Sequence, residues 1–126
     1  MRKTIRVQDW KSSYDDVKPA RVVTVDLVRV PHWSSDERRT AYDVYEGDVK
    51  IGTIERAKES TDRHYGRIRV PGKGRLAWAW HRPSPVGRRG AYLDGVNENR
   101  PGCYESNIAN AVARLYRYDR GEEIRT

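Results

Sequence analysis

Positive charge and aromatic rings are concentrated in one stretch of this sequence, residues 63–93. The stretch carries eight Lys or Arg side chains and no Asp or Glu. The whole chain has 25 basic and 18 acidic residues, so the residues outside the stretch are balanced at 17 against 18. Cations interleaved with aromatic rings suit a polyanion, because the charges neutralise phosphates and the flat rings stack on bases. The stretch therefore predicts an anionic partner.

Nine residues of this stretch are predicted to contact nucleic acid. Two rings, Tyr65 and His81, are expected near bases, and seven cations are expected at phosphates. The seven cations are Arg67, Arg69, Lys73, Arg75, Arg82, Arg88 and Arg89. The chain has 19 Arg against 6 Lys, a ratio that a GC-rich genome also produces. The absence of acids is therefore a stronger indication than the number of arginines.

Catalytic and metal chemistry finds little support in the sequence. Cys103, His32, His64 and His81 show no ligand-pair spacing such as Cys-x2-Cys. A catalytic Cys103 would need a base beside it, and a small, partly buried or surface thiol is the favoured interpretation. Residues 72–75 (GKGR) lack the strand–loop–helix setting of a P-loop, leaving a phosphate-touching hairpin loop or a solvated turn. We expect no enzymatic activity, cofactor, metal or small-molecule substrate.

Length and composition predict one domain over residues 1–126. Hydrophobic content is 37% and charged content 34%, so the core is expected to be thin and rich in the four Trp and eight Tyr. A single cysteine excludes an intramolecular disulfide and fits a reducing cytoplasm. No apolar run approaches the roughly 20 residues of a membrane helix. The charged start of the chain, with no apolar stretch behind it, predicts no secretory signal, and no membrane partner is expected.

The first half of the chain has the alternation of β-strands. Ala20–Val30 is rich in β-branched residues, and its cleaner apolar face holds Val23, Val25 and Leu27. Thr4–Gln8 is expected to be a short edge strand. Thr40–Lys58 is expected to be a hairpin turning at Glu46-Gly47-Asp48, with a bulge near Gly52 where the apolar period slips.

The basic stretch predicts a second hairpin, with Tyr65–Val70 and Leu76–Arg82 flanking the turn-forming residues 71–75. Two placements of Trp78 and Trp80, which share a face, are open. In the favoured one they belong to the core, with Ile68 and Val70 inward. A flat outward face then remains, made by Ala77, Ala79, His81, Arg67 and Arg69. In the other they form an exposed stacking platform.

The C-terminal part predicts one helix within residues 105–118. Ser106 is a candidate N-cap, and apolar residues recur at spacings of three, four and seven, namely Ile108, Ala111, Val112 and Leu115. Gly121 is expected to stop the helix, leaving a polar tail at 119–126. With residues 20–93 mainly β, we predict an α+β fold: a mostly antiparallel sheet of four to six strands with one C-terminal helix packed on one face.

Two resemblances accompany these patterns. Residues 42–47 (YDVYEG) and 51–54 (IGTI), followed by a Trp-bearing strand and an amphipathic helix, resemble small early-region accessory proteins of actinobacterial phages, mostly of unknown function. The order of three strands and a helix is also similar to the three-stranded DNA-reading domains of plant transcription factors and phage integrase arm-binding modules. That likeness implies Tyr65, Arg67, Arg69, Ala77 and His81 as readers of DNA.

The leading hypothesis is a non-enzymatic phage-type accessory protein that contacts DNA or RNA phosphates through a basic β-hairpin face. The alternative is a phage protein that binds and modulates a host protein through an acidic surface on that partner. A minor structural or assembly protein is a third. Each hypothesis implies the cytoplasm of a bacterial host cell, and the oligomeric state is left open.

Overall fold

The computed structural model describes residues 1–10, 17–31, 40–59, 62–72, 74–83 and 104–125. Residues 11–16, 32–39, 60–61, 73, 84–103 and 126, and with them His32 and Cys103, lie outside the described residues. The described elements are β1 (Arg2–Gln8), β2 (Arg21–Val30), β3 (Ala41–Glu46), β4 (Val49–Glu59), β5 (Arg63–Tyr65), β6 (Ile68–Val70), β7 (Arg75–His81), α1 (Ile108–Leu115) and β8 (Arg120–Glu123).

Six strands form one sheet in the order β7-β4-β3-β2-β1-β8, and β5 with β6 forms a separate two-stranded sheet. Each neighbouring pair is antiparallel. The helix α1 packs on one face of the six-stranded sheet. The predicted α+β fold is therefore confirmed, with the strand number at the upper end of the expected range.

The strand predicted from β-branched residues is confirmed as β2, whose core-facing residues are Val23, Val25 and Leu27. The prediction of an edge strand near the start of the chain is wrong. β1 lies inside the sheet, since it pairs with β2 on one side and with β8 on the other. The predicted polar tail supplies β8, in register from Ile5 opposite Glu123 to Gln8 opposite Arg120.

The hairpin predicted over residues 40–58 is confirmed as β3 and β4, joined at Gly47-Asp48. Its bulge is also confirmed, and its position is defined by the register. Val44 lies opposite Gly52 and Tyr45 opposite Lys50, so Ile51 is the extra residue. The slip in the apolar period between Ile51 and Ile54 has this cause.

The helix is shorter than predicted at both ends. Its N-cap is Asn107, whose side-chain oxygen accepts a 2.8 Å hydrogen bond from the Asn110 amide. At the other end the amides of Arg117 and Tyr118 donate to the carbonyls of Arg114 and Ala113. This is a Schellman ending, with Arg117 in the left-handed region at φ 64°. Gly121 therefore does not stop the helix.

The core lies between α1 and the sheet, and it decides the placement of the tryptophans. Trp78 and Trp80 are 9% and 5% exposed and belong to the same cluster as the helix residues. The favoured prediction, that they are core rather than platform, is confirmed. The remaining members include Ile5, Val7, Val23, Val25, Leu27, Val44, Ile54, Val112 and Leu115.

A polar contact ties the end of the helix to the β3–β4 turn. The Tyr116 hydroxyl donates to Glu46, and the Glu46 carboxylate pairs with Arg21 at 3.0 Å. Burial and the neighbouring Glu46 carboxylate raise the pKa of Tyr116 well above its usual value. The phenol therefore stays protonated, and it is the donor in this contact.

The junction of β8 with α1 predicts one sensitive position. A Cβ placed on Gly121 would lie 2.2 Å from the backbone oxygen of Ala109, so Gly121→Ala must push β8 away from the helix. We expect a loss of about 2 kcal/mol in the free energy of unfolding, measured by denaturant titration. The control Glu122→Ala, on the exposed side of the same strand, should change it by less than about 0.5 kcal/mol. Equal effects would contradict this packing.

Candidate nucleic-acid interface

The basic stretch folds differently from the second hairpin predicted for it. β7 pairs with β4, in register from Thr53 opposite His81 to Glu59 opposite Arg75. The segment Tyr65–Val70 is not one strand, because Gly66 and Arg67 form a two-residue turn between β5 and β6. Gly66 has φ 61°, which suits the first central position of a type II′ turn.

The burial of apolar side chains explains why β7 pairs with β4 rather than with β6. Pairing with β4 aligns seven residues and places Trp80 beside Ile54 in the core. The segment β6 has three residues, and all of them are exposed. The predicted inward placement of Ile68 and Val70 is therefore wrong, since the long ladder buries far more apolar area than the short one.

Residues 62–72, named here the arm, lie beyond the last pair of the β4–β7 ladder. Within the arm Arg63 pairs with Val70 and Tyr65 with Ile68. Every residue from 63 to 70 is exposed to solvent. The arm is thus a two-stranded ribbon that shares no strand pairing with the six-stranded sheet. An isolated ribbon of this kind is marginally stable in water, so contacts at its base matter.

Asp62 closes the base of the arm. One carboxylate oxygen accepts a 2.9 Å hydrogen bond from the Gly72 amide, and the other lies 2.8 Å from Arg69 Nε. This acid stands immediately before the acid-free stretch. It holds the two strands together, and it neutralises one of the cations predicted to bind phosphate.

The strand alternation gives the arm two different faces. The apolar face holds Tyr65, Ile68 and Val70 beside Arg63, because these residues form directly opposed pairs. His64 and Arg69 are paired on the opposite face. The three large apolar side chains are 61%, 66% and 45% exposed. Such a group of exposed apolar residues on a basic ribbon is typical of a contact surface.

Many cations of the sheet are matched by acids, whereas two of the three described arginines of the arm are not. Six ion pairs link strands or their ends: Arg2–Asp26, Lys3–Glu123, Arg6–Glu122, Lys18–Asp9, Arg21–Glu46 and Lys50–Asp43. Within the described parts of the chain, Arg63 and Arg67 form no ion pair. Arg67 occupies the turn at the tip, and Arg75 is exposed where β7 begins. Two described cations without an ion pair therefore lie together on the arm.

Arg82 does not belong to that basic surface, contrary to the prediction. Its Nη2 donates a 2.8 Å hydrogen bond to the carbonyl of Arg114 near the end of α1. Its guanidinium also lies 4.8 Å from the centre of the Trp80 ring. A cation at this place satisfies a terminal helix carbonyl and suits the helix dipole. Arg82 is therefore a structural contact between β7 and α1.

His81 likewise does not lie on an exposed surface, as the predicted base contact would require. Its Nε2 lies 3.0 Å from Glu55, and the two side chains are 12% and 7% exposed. Ala77 and Ala79 on the same face are each 1% exposed. The prediction of a flat outward face on this strand is wrong, because both faces of β7 are buried at residues 77–80.

The nine predicted contact residues thus separate into groups. Tyr65, Arg67 and Arg69 lie on the arm, with Arg75 near its base. His81 and Arg82 lie at the other end of β7, roughly 20 Å away for a seven-residue strand. Lys73, Arg88 and Arg89 lie outside the described residues. The reader set implied by three-stranded DNA-reading domains does not share one exposed face, since Ala77 and His81 are covered.

One further group of aromatic and basic residues was not predicted from the sequence. Trp10 is 66% exposed, and the guanidinium of Arg120 lies 5.8 Å from its ring centre. In addition, Nζ of Lys18, which precedes β2, lies 4.2 Å from the centre of the Tyr118 ring. The pairing of β1 with β8 brings Gln8 opposite Arg120, although 112 residues separate them. No local pattern indicates that contact.

The remaining chemistry and the comparisons add little. In the described ranges no three His, Cys, Asp or Glu side chains are grouped so as to hold a metal ion. No helix in the described part of the chain is long and apolar enough to cross a membrane. Searches against protein-family models, curated proteins and solved structures gave no match for this chain. The likeness to phage accessory proteins stays a prediction.

The base of the arm supplies a test of its geometry. Asp62→Ala should remove the acceptor of the Gly72 amide and release Arg69, so amide exchange at Gly72 should quicken at least about tenfold. The melting temperature should stay within about 2 °C, because both strands of the arm are exposed. Asp62→Asn, which keeps one acceptor oxygen, should have an intermediate effect. Unchanged Gly72 exchange in Asp62→Ala would contradict the assigned contact.

Proposed function

We propose that this protein is a non-enzymatic nucleic-acid-binding protein that contacts phosphates through the arm. One observation carries the proposal. Among the described residues, Arg63 and Arg67 are exposed and form no ion pair, and both lie on the ribbon. By contrast, Arg2, Arg6 and Arg21 of the sheet pair with acids on neighbouring strands. Cations held in ion pairs have little to offer a phosphate, whereas uncompensated ones release counterions when they bind it.

The charge and shape of the arm support the same conclusion. Between residues 62 and 75 the sequence has five basic residues and one acid, Asp62. Two paired strands form a ribbon narrow enough to enter the major groove of B-DNA, which is about 12 Å wide. The cations along such a ribbon can reach the phosphates that border the groove. The six-stranded sheet and α1 then serve as the scaffold that presents the arm.

The cellular setting is part of the proposal. We propose a phage-type accessory protein acting in the cytoplasm of a bacterial host, on the resemblance carried by residues 42–47 and 51–54. These residues form the β3–β4 hairpin, away from the arm in the strand order. They would therefore belong to the scaffold rather than to the contact surface.

Salt dependence is the direct test of phosphate binding by the arm. Five neutralised phosphates give a slope of about −4 to −5 for log affinity against log salt concentration. Binding to duplex DNA, followed by fluorescence anisotropy, should weaken several hundred-fold between about 50 and 200 mM salt. Arg67→Ala should weaken binding and reduce the steepness of the slope by about 0.9.

A matched control separates the arm from net charge. Arg29→Ala removes one exposed cation of β2 that lies outside the arm. The Arg29→Ala variant should have the same salt slope as the wild-type protein, although its net charge is reduced as much as that of Arg67→Ala. Equal losses in the two variants would assign binding to overall charge and contradict the role of the arm. Absent binding at low salt would contradict the proposed function.

A second candidate function, binding to a host protein, is favoured by the surface around Trp10. Trp, Tyr and Arg are the residues that most often dominate the energy of protein interfaces. Here Arg120 contacts the Trp10 ring, and Lys18 contacts the Tyr118 ring. Strand order places this surface at the β1–β8 edge, opposite the β4–β7 edge that bears the arm.

The two functions are distinguished by their variants. A host-protein partner should be retained after nuclease treatment at a fixed stoichiometry, lost in Trp10→Ala and kept in Arg67→Ala. Loss of that partner in Arg67→Ala, with retention in Trp10→Ala, would contradict the second candidate. Both side chains are exposed, so neither substitution should alter the melting temperature by more than about 2 °C.

A further inference from the structure

The apolar face of the arm has no role in phosphate binding, and its exposure calls for an explanation. Tyr65 and Ile68 are directly opposed at the end of the ribbon, and Val70 lies opposite Arg63 two pairs further from the turn, on the same face. All three apolar side chains are exposed to solvent, and none of them belongs to the hydrophobic core. A ribbon whose task was phosphate contact alone would need polar residues at these positions.

We infer that this face reads thymine methyl groups in the major groove of double-stranded DNA. The inference rests on the proposed nucleic-acid function and specifies its ligand. The thymine C5-methyl is the apolar group that base pairs present in the major groove, and aliphatic side chains recognise it by contact. Ile68 and Val70 supply aliphatic surface on the same face as Arg63.

Charge and shape fit this ligand together. With the apolar face towards the base edges, Arg63 lies on that face as well, where a guanidinium can bind the O6 and N7 atoms of a guanine. Arg67 at the tip is left for phosphates, and Arg69 on the opposite face is held by Asp62. The apolar residues and the cations of one short ribbon are thus divided between base edges and backbone.

The same geometry selects DNA over double-stranded RNA. The major groove of A-form RNA is deep and narrow, so side chains cannot reach its base edges, and uracil lacks the C5-methyl. A ribbon that depends on thymine methyl contacts therefore has two reasons to reject an RNA duplex. Single-stranded binding would gain nothing from a ribbon of groove width.

Replacing thymine by deoxyuridine in a duplex tests the inference, because it removes the methyl and keeps the pairing and the charge. For the full chain, binding to a thymine-containing duplex should be about fourfold tighter for each methyl contacted, measured by anisotropy at constant salt. An RNA duplex of the same sequence should bind still more weakly. Equal affinity for the thymine and deoxyuridine duplexes would overturn the inference, even though binding itself would uphold the proposed function.

Protein variants complete the test. Ile68→Ala should weaken binding to the thymine duplex and shrink the ratio between the two duplexes, as expected for a pair of groups in contact. Val49→Ala, an equally exposed aliphatic residue beside the β3–β4 turn, should keep the wild-type ratio. A ratio that is unchanged in Ile68→Ala, or lost in Val49→Ala, would also overturn the inference. Absence of binding to every duplex at low salt would instead reject the proposed function.

Discussion

The pairing of β4 with β7, with Trp78 and Trp80 buried beneath α1, is the interaction on which the rest of the structure depends. It aligns seven residues and brings Trp80 against Ile54, one of the fully buried side chains. Large aromatic side chains bury much area each, which matters in a chain with a thin core. In the sequence, the arm lies between the two strands of that ladder, and its own strands β5 and β6 pair with each other.

The electrostatics of the molecule follow the same division. Across the sheet, several cations pair with acids on neighbouring strands. In the arm a single acid, Asp62, is used for closing the base, and it engages Arg69 and the Gly72 amide. The exposed arginines at and near the tip keep their charge for a partner. Structure and charge thus assign separate tasks to scaffold and arm.

Local patterns were sufficient for most of the fold and for the location of the charge. Alternating β-branched residues predicted β2, turn residues predicted the β3–β4 hairpin, and the spacing of Ile108, Val112 and Leu115 predicted α1. The lack of acids in residues 63–93 pointed to the stretch that holds the arm. These features depend on neighbouring residues, whose patterns are visible in the sequence.

Three of the errors share a physical cause, since each involves partners distant in the sequence. The turn residues at 71–75 favoured a hairpin between adjacent strands, but the burial of Trp78 and Trp80 decided for β4. The sequence of β8, RGEE, has no strand pattern, and it forms a strand because it pairs with β1. Arg82 looked like a phosphate contact because its partner, the Arg114 carbonyl, is 32 residues away.

The central claim is that the arm is the surface that meets nucleic acid. Its most direct test is nuclear magnetic resonance of the isotope-labelled full chain, titrated with a short mixed-sequence DNA duplex at low salt. The account predicts that the largest amide shifts fall on residues 62–72 and at Arg75, with the helix and β1 nearly unmoved. Shifts concentrated around Trp10 and Arg120, or no shifts at all, would contradict it.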